Sequence, residues 1–321
     1  MLHALIASFL ILNPLLSFFV VKDASSSQAP LLTKKTEFLS FADFKLPLSE
    51  NAFLASGLLL PVSPLRDWNV EEPKILARAA LVFDTKNRSV LFQKDNILEA
   101  RPIASLTKLM TAIVALENAK ETDIFTISQN AVVQKGEMGN LAVGEKITLK
   151  NLLYLMLVAS SNDAAQAIAE NISSPATDSG QIFVGLMNQK AKALGLKNTS
   201  FKDSSGLDPS NFSTAWELTK IMEEVLKNPL LSKIMQTPKI TIFSVDKKFR
   251  HQIESTDKLL DRVPEILGGK TGYIQEAGNC MILAVKSPQN GGIIISVVMD
   301  SPDRLLETET LINWTKKAYL W

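Results

Sequence analysis

The stretch ARPIASLTKLMTA, residues 100–112, opens a longer pattern, SLTKLMTAIVALENAK, whose apolar positions recur at helical spacing through Lys120. Pro102 stands just ahead of it, where a helix can begin but not continue back. Ser105 and Lys108 lie three residues apart at that beginning, so they share a face and can meet. A serine hydroxyl needs a neighbouring base to become a nucleophile, and a lysine can be that base only when neutral. Its reference pKa is about 10.4. Burial and a second nearby cation lower it toward a usable value. A helix N-terminus also aims backbone N–H groups at charge developing on an attacked carbonyl.

Just upstream, AALVFDTKNRSVLFQKD (79–95) reads as a β-hairpin turning at Thr85-Lys86-Asn87. Downstream, LKNLLYLMLVAS (149–160) is a second helix that breaks at Ser160-Ser161-Asn162, and DAAQAIAEN (163–171) is a third. A fourth runs near Gln181–Leu194 and ends at Gly195, a C′ glycine. Ser213-Thr214-Ala215 opens a fifth, with Glu217 in its first turn. Strand-like runs return at Ile240–Val245, Gly268–Ile274, Cys280–Lys286 and Ile293–Met299, separated by turn residues such as Pro288-Gln289-Asn290-Gly291. Arg304–Tyr319 closes the chain as an amphipathic helix. Strands at both ends and helices between them predict an α+β fold. Its antiparallel sheet is formed from both chain ends, flanked by helices, with an inserted helical subdomain.

Composition narrows the chemistry. The 321 residues are 46% hydrophobic and 21% charged with a net charge of +1, which argues against an electrostatic nucleic-acid binder. One cysteine, Cys280, excludes an internal disulfide and reads as a small buried hydrophobe. Two histidines, His3 and His251, leave little for a zinc site, and a Ser-His-Asp triad would have to use His251. The general base of a hydrolase built on this chain is therefore expected to be another residue type.

Residues 4–21 are almost wholly apolar and close to bilayer-spanning length. Met1–His3 offers no Lys or Arg, and no A-x-A pattern precedes Ser25. Residues 1–24 are read as an export signal, either cleaved or retained as a membrane anchor. Residues 25–75, polar at first and then proline-containing, read as a tether, with an apolar patch at Phe53–Leu60 that packs on the domain or lies near the membrane. The domain proper is expected over residues 76–321.

Two further motifs carry chemistry. In Ser160-Ser161-Asn162 a hydroxyl can relay a proton, and an amide can both donate to and accept from a peptide backbone. Lys270-Thr271-Gly272 follows Gly268-Gly269 on a late strand. There a lysine supplies positive charge, a threonine can bind a carboxylate, and a glycine lets a substrate approach the edge. Each motif alone is common: Ser244–Lys247 and Ser255–Lys258 also fit S-x-x-K, and Ser49 and Ser128 also begin S-x-N. A phosphate loop ending in Gly269-Lys270-Thr271 fails, because Pro264 occupies the position of its first glycine.

The ordered triple S-x-x-K, S-x-N, K-T-G is a signature of penicillin-binding proteins and class A β-lactamases. With ARPIASLTKLMTA, SSNDAAQAIAE, MNQKAKALGLKNTSF, DSSGLD, FSTAWELT and GGKTGYIQEAGNC in the same order, the chain from Arg78 to Trp321 resembles the low-molecular-mass D-alanyl-D-alanine carboxypeptidases. The resemblance implies a β-lactamase/transpeptidase-like fold and a serine peptidase that removes the terminal D-alanine of peptidoglycan stem pentapeptides. Ser105 would be the acylated nucleophile and Lys108 its base. Ser160 and Asn162 would shuttle protons and hold the peptide, Ser160 as a catalytic group and Asn162 as a binding one. Lys270 and Thr271 would engage the terminal carboxylate, with Gly272 beside them. The backbone N–H groups of Ser105 and Tyr273 would form the oxyanion hole, and Arg304 would help bind the carboxylate.

No metal or organic cofactor is implied, and nucleic acid is not an expected partner. β-Lactams would be covalent inhibitors, and the location would be extracytoplasmic. Ser161 departs from the glycine often found inside S-x-N. Many relatives carry a C-terminal β-domain and anchor; here membrane attachment is expected from the N-terminal segment. The alternatives are a D,D-endopeptidase, a β-lactamase, or a penicillin-binding sensor without turnover. The E-x-x-L-N motif of class A β-lactamases has no match near Leu194–Asn198.

Overall fold

Strand β1 (Ala79–Asp84) is buried at every residue, which requires cover on both faces of its sheet. Ala79, Leu81 and Phe83 point into a cluster built mainly from helices, while Ala80 and Val82 join Leu311, Ile312 and Trp314 of the closing helix. The period of two assigns the faces. The computed structural model describes residues 64–173, 179–288 and 291–321. The expected leader, the Phe53–Leu60 patch and the tether through residue 63 lie outside the described residues.

Five strands form the main sheet: β1, β2 (Ser89–Lys94), β3 (Ile266–Ile274), β4 (Gly278–Lys286) and β5 (Ile293–Ser301). Their order is β3-β4-β5-β1-β2, and every neighbouring pair is antiparallel. The pairing of β5 with β1 joins the two chain ends, as expected from the distribution of strands. Between them run α1 (Lys108–Asn118), α2 (Leu149–Val158), α3 (Asn162–Ile172), α4 (Ser179–Ala193), α5 (Ala215–Leu226) and α6 (Pro229–Met235); α7 (Arg304–Ala318) closes the chain. In α1 every residue from Lys108 to Ala115 is buried, the pattern of a helix covered on all sides. Thr214 caps α5 by accepting from the Glu217 N–H, and Gly195 has φ +70° just past α4.

Strand β3 is the edge of the sheet, so one side of its backbone is free of strand partners. Gly272 on this strand has a positional reason. A β-carbon there would stand 3.0 Å from Ile103 O and 3.1 Å from Ser105 N. The strand thus runs directly beside the serine of the first motif.

Two expectations are corrected. Lys239–Phe243 does not join the main sheet but pairs with Arg250–Glu254 in a separate hairpin. Alternation marks a strand without naming its partner, and the charged ends of RHQIE conceal the second strand. Residues 64–75, read as the end of a tether, pack on the domain. Leu65 and Arg66 pair with Leu320 and Tyr319. The Arg66 guanidinium lies over the Trp314 and Tyr319 rings at 4.8 and 5.8 Å. Trp314 Nε1 donates to Glu71 O at 2.8 Å. Such contacts have no local periodicity to announce them.

Candidate active site

Ser105 lies in a 3₁₀ turn, Ala104–Thr107, and α1 starts only at Lys108. This refines the expectation of a helix start, because residues i and i+3 eclipse in a 3₁₀ turn. The Lys108 Nζ and Ser105 Oγ are 2.8 Å apart as a result. Lys108 is fully buried, and Nζ also donates to Asn162 Oδ1 and to Ser205 O, both at 2.6 Å. These two oxygens can only accept, and they use two N–H groups. The third partner, Ser105 Oγ, can accept the remaining N–H of an ammonium or donate into the lone pair of a neutral amine, so the shell accommodates both forms. Burial pulls the amine down to about 7, against the nearby negative charges of Asp203, Glu137 and Asp163.

Ser160 closes the break between α2 and α3 with φ +61°, a left-handed backbone that is costly for a residue with a side chain. Its Oγ accepts from Lys270 Nζ at 2.8 Å, and Lys270 donates equally to Thr271 O. Lys270 is buried and held well below the usual lysine range, first by that burial and then by the positive charges of Lys108 and Arg304. Asn162 Nδ2 donates to Lys135 O at 2.7 Å, which turns Oδ1 toward Lys108. Arg304, half-buried, donates to Gly272 O at 2.8 Å. Thr271 Oγ1 reaches Thr256 Oγ1 at 2.7 Å, and the Tyr273 side chain is exposed.

The rival motifs do not assemble: Ser244 Oγ donates to Asp246, and Lys258 pairs with Glu254. Among the described residues no cluster of three His, Cys, Asp or Glu side chains could hold a metal ion.

Residues 67–303 match the profile of the D-alanyl-D-alanine carboxypeptidases. This chain belongs to that family of serine peptidases. It is 34% identical to D-alanyl-D-alanine carboxypeptidase DacF of Bacillus subtilis, over 76% of this chain and 63% of that protein. It is 33% identical to a D-alanyl-D-alanine endopeptidase of Pseudomonas aeruginosa, over 68% of this chain and 71% of the relative. A D-alanyl-D-alanine carboxypeptidase of Streptomyces sp. strain K15 is 30% identical over 83% of this chain and 95% of its own. The crystal structure of the Streptomyces K15 DD-transpeptidase superposes with a TM-score of 0.71 at 29% identity, covering 77% of this chain and 99% of that one. The penicillin-binding fold expected from the motifs is the fold observed.

In this carboxypeptidase-family chain the site also rests on residues that motif reading left without a role. Ser161, the departure inside S-x-N, caps α3 by accepting from Ala164 N at 3.1 Å and donates to Asp163. Asp163 accepts from Gly139 N at 2.8 Å and Leu141 N at 3.2 Å, tying down the loop that supplies Lys135 O. His251 touches Gly139 O at 3.1 Å through Nδ1 and Glu145 Oε1 at 2.8 Å through Nε2. Both contacts ask its ring nitrogens to donate, and the Glu145 hydrogen bond raises its pKa. Neither nitrogen is directed at Ser105. The third support is the turn at Asp203–Asn211. An acid among small polar residues just before a glycine was its visible mark in the sequence.

Proposed function

We propose that this chain removes the terminal D-alanine of peptidoglycan stem pentapeptides through an acyl-enzyme on Ser105. One observation carries the reading: the Ser105 hydroxyl lies 2.8 Å from the amine of a fully buried lysine, which burial pulls down to about 7. Lys108 takes the hydroxyl proton as Oγ attacks the carbonyl of the D-Ala-D-Ala peptide bond. The N–H groups of Ser105 and Tyr273 stabilise the resulting oxyanion. Collapse breaks the C–N bond, and the proton passes from Lys108, with Ser160 as relay, to the departing D-alanine nitrogen. An ester on Ser105 remains. Water then attacks the ester carbonyl, giving a proton to Lys108; collapse breaks the C–Oγ bond, Lys108 returns that proton to Oγ, and the shortened peptide leaves.

Asn162 holds the peptide backbone. Lys270, Thr271 and Arg304 receive the terminal carboxylate, with Gly272 leaving the edge of β3 open to the substrate. That carboxylate brings the negative charge that favours a protonated Lys270. β-Lactams acylate Ser105 by the same attack on a strained amide. The chain works on the extracytoplasmic side, and its apolar N-terminal segment holds it to the membrane if that segment is retained.

The test is D-alanine release from a pentapeptide ending in D-Ala-D-Ala, beside a D,D-crosslinked peptide dimer. Release from the pentapeptide is the expected result. A folded, penicillin-labelled enzyme that cuts only the dimer would move the function to the endopeptidase reading, which the Pseudomonas aeruginosa relative favours.

A further inference from the structure

The turn Asp203–Asn211 is organised around one carboxylate. Asp203 Oδ1 accepts from the N–H groups of Ser205 at 2.6 Å and Gly206 at 2.5 Å, and from Ser205 Oγ at 3.0 Å. Its Oδ2 accepts from Asp208 N at 2.5 Å and Asn211 Nδ2 at 3.2 Å. These five hydrogen bonds hold the turn rigid, and Asp208 Oδ1 fixes its far end by accepting from Ser210 N at 2.7 Å.

The turn spends that rigidity on α1 and on the backbone before the nucleophile. Ser205 O meets Lys108 Nζ at 2.6 Å, and Ser204 O accepts from Thr111 Oγ1 at 2.6 Å. Lys108 and Thr111 stand at i and i+3, so two successive carbonyls grip one face of the helix. Gly206, at φ +88°, lies against the residue preceding Ser105. A β-carbon there would be 1.9 Å from Ala104 O and 2.9 Å from Ser105 N. Ala104 itself has φ +47° without being glycine, a conformation that needs such external support.

We propose that Asp203 is a positioning residue for acyl transfer, folding the turn that aims the Ser205 carbonyl at Lys108 and braces Ala104 behind Ser105. The proposal rests on the reading of Lys108 as the base. The charge of Asp203 acts in the same place: of the anions that favour protonated Lys108 it has the largest effect, ahead of Glu137 and Asp163.

The test is the pH profile of acylation by a fluorescent penicillin, with rates expressed per titrated active site. Parent enzyme is compared with Asp203→Asn and Asp203→Glu. Asp203→Asn removes the charge, so Lys108 sheds its proton more easily. The ascending limb should move to lower pH by about half a unit or more. Its plateau should fall about tenfold, because an amide nitrogen opposes the Asp208 N–H and loosens the turn. Asp203→Glu keeps the charge and displaces the turn, so the limb should stay near the parental pH while the plateau falls.

A parental limb in Asp203→Asn, with only a lower melting temperature, would overturn the proposal. If Asp203→Asn does not fold, Asp203→Glu decides: a parental plateau would overturn the positioning role. A parent enzyme with no ascending limb would instead overturn the Lys108 reading, and this proposal with it.

Discussion

Ser105→Ala is expected to reduce D-alanine release by about 10⁵–10⁶-fold, to the level left by substrate binding and the oxyanion donors. The size follows from the covalent route, since removing the nucleophile removes both half-reactions at once. The other hydroxyls of the site are engaged elsewhere, Ser160 Oγ with Lys270 and Thr271 Oγ1 with Thr256. Stability should change little, because the substitution deletes one hydroxyl at a partly exposed position and leaves the 3₁₀ turn intact. The check is D-alanine release alongside a thermal melt. Release above about one per cent of parent by the folded variant would exclude Ser105 as the nucleophile.

Lys108 should show the second largest effect, and it separates chemistry from packing. Lys108→Arg keeps a cation that cannot lose its proton at working pH. Acylation by penicillin is expected to fall about 10²–10⁴-fold, the range for a lost general base. Lys108→Met also removes the donors to Asn162 Oδ1 and Ser205 O, and each buried acceptor left alone costs about 1–3 kcal/mol. Its melting temperature should therefore drop as well. The parent rate should climb through about pH 7, where the buried amine loses its proton, because the neutral form is the active one. Lys108→Arg should show no such climb. A residual limb near that pH in the arginine variant would assign the ionisation to another group.

How far the site could be read in advance depended on what each residue contributes. Ser105 and Lys108 were legible because their spacing puts them on one face and Pro102 places them at the mouth of an apolar helix, which the other two S-x-x-K stretches lack. Ser160 and Lys270 are 110 residues apart, and only the order of motifs linked them. The meeting of β1 and β5 followed from strands at both chain ends. Asp203 was hidden for a different reason: what it delivers to Lys108 is a backbone carbonyl, a group every residue carries. Glu145 and His251, 106 residues apart, form a local clasp that no periodicity encodes. The strand expected over Ile240–Val245 forms over Lys239–Phe243, but its partner, Arg250–Glu254, was not legible, because a period of two specifies faces and not partners.

The acyl-enzyme on Ser105 is tested by the mass of the intact chain after reaction with a penicillin, followed by peptide mapping. The expected result is one penicillin per chain, carried on the peptide that contains Ser105, and no adduct on Ser105→Ala. An adduct on any other residue, or one that persists in Ser105→Ala, would rule out Ser105 as the nucleophile.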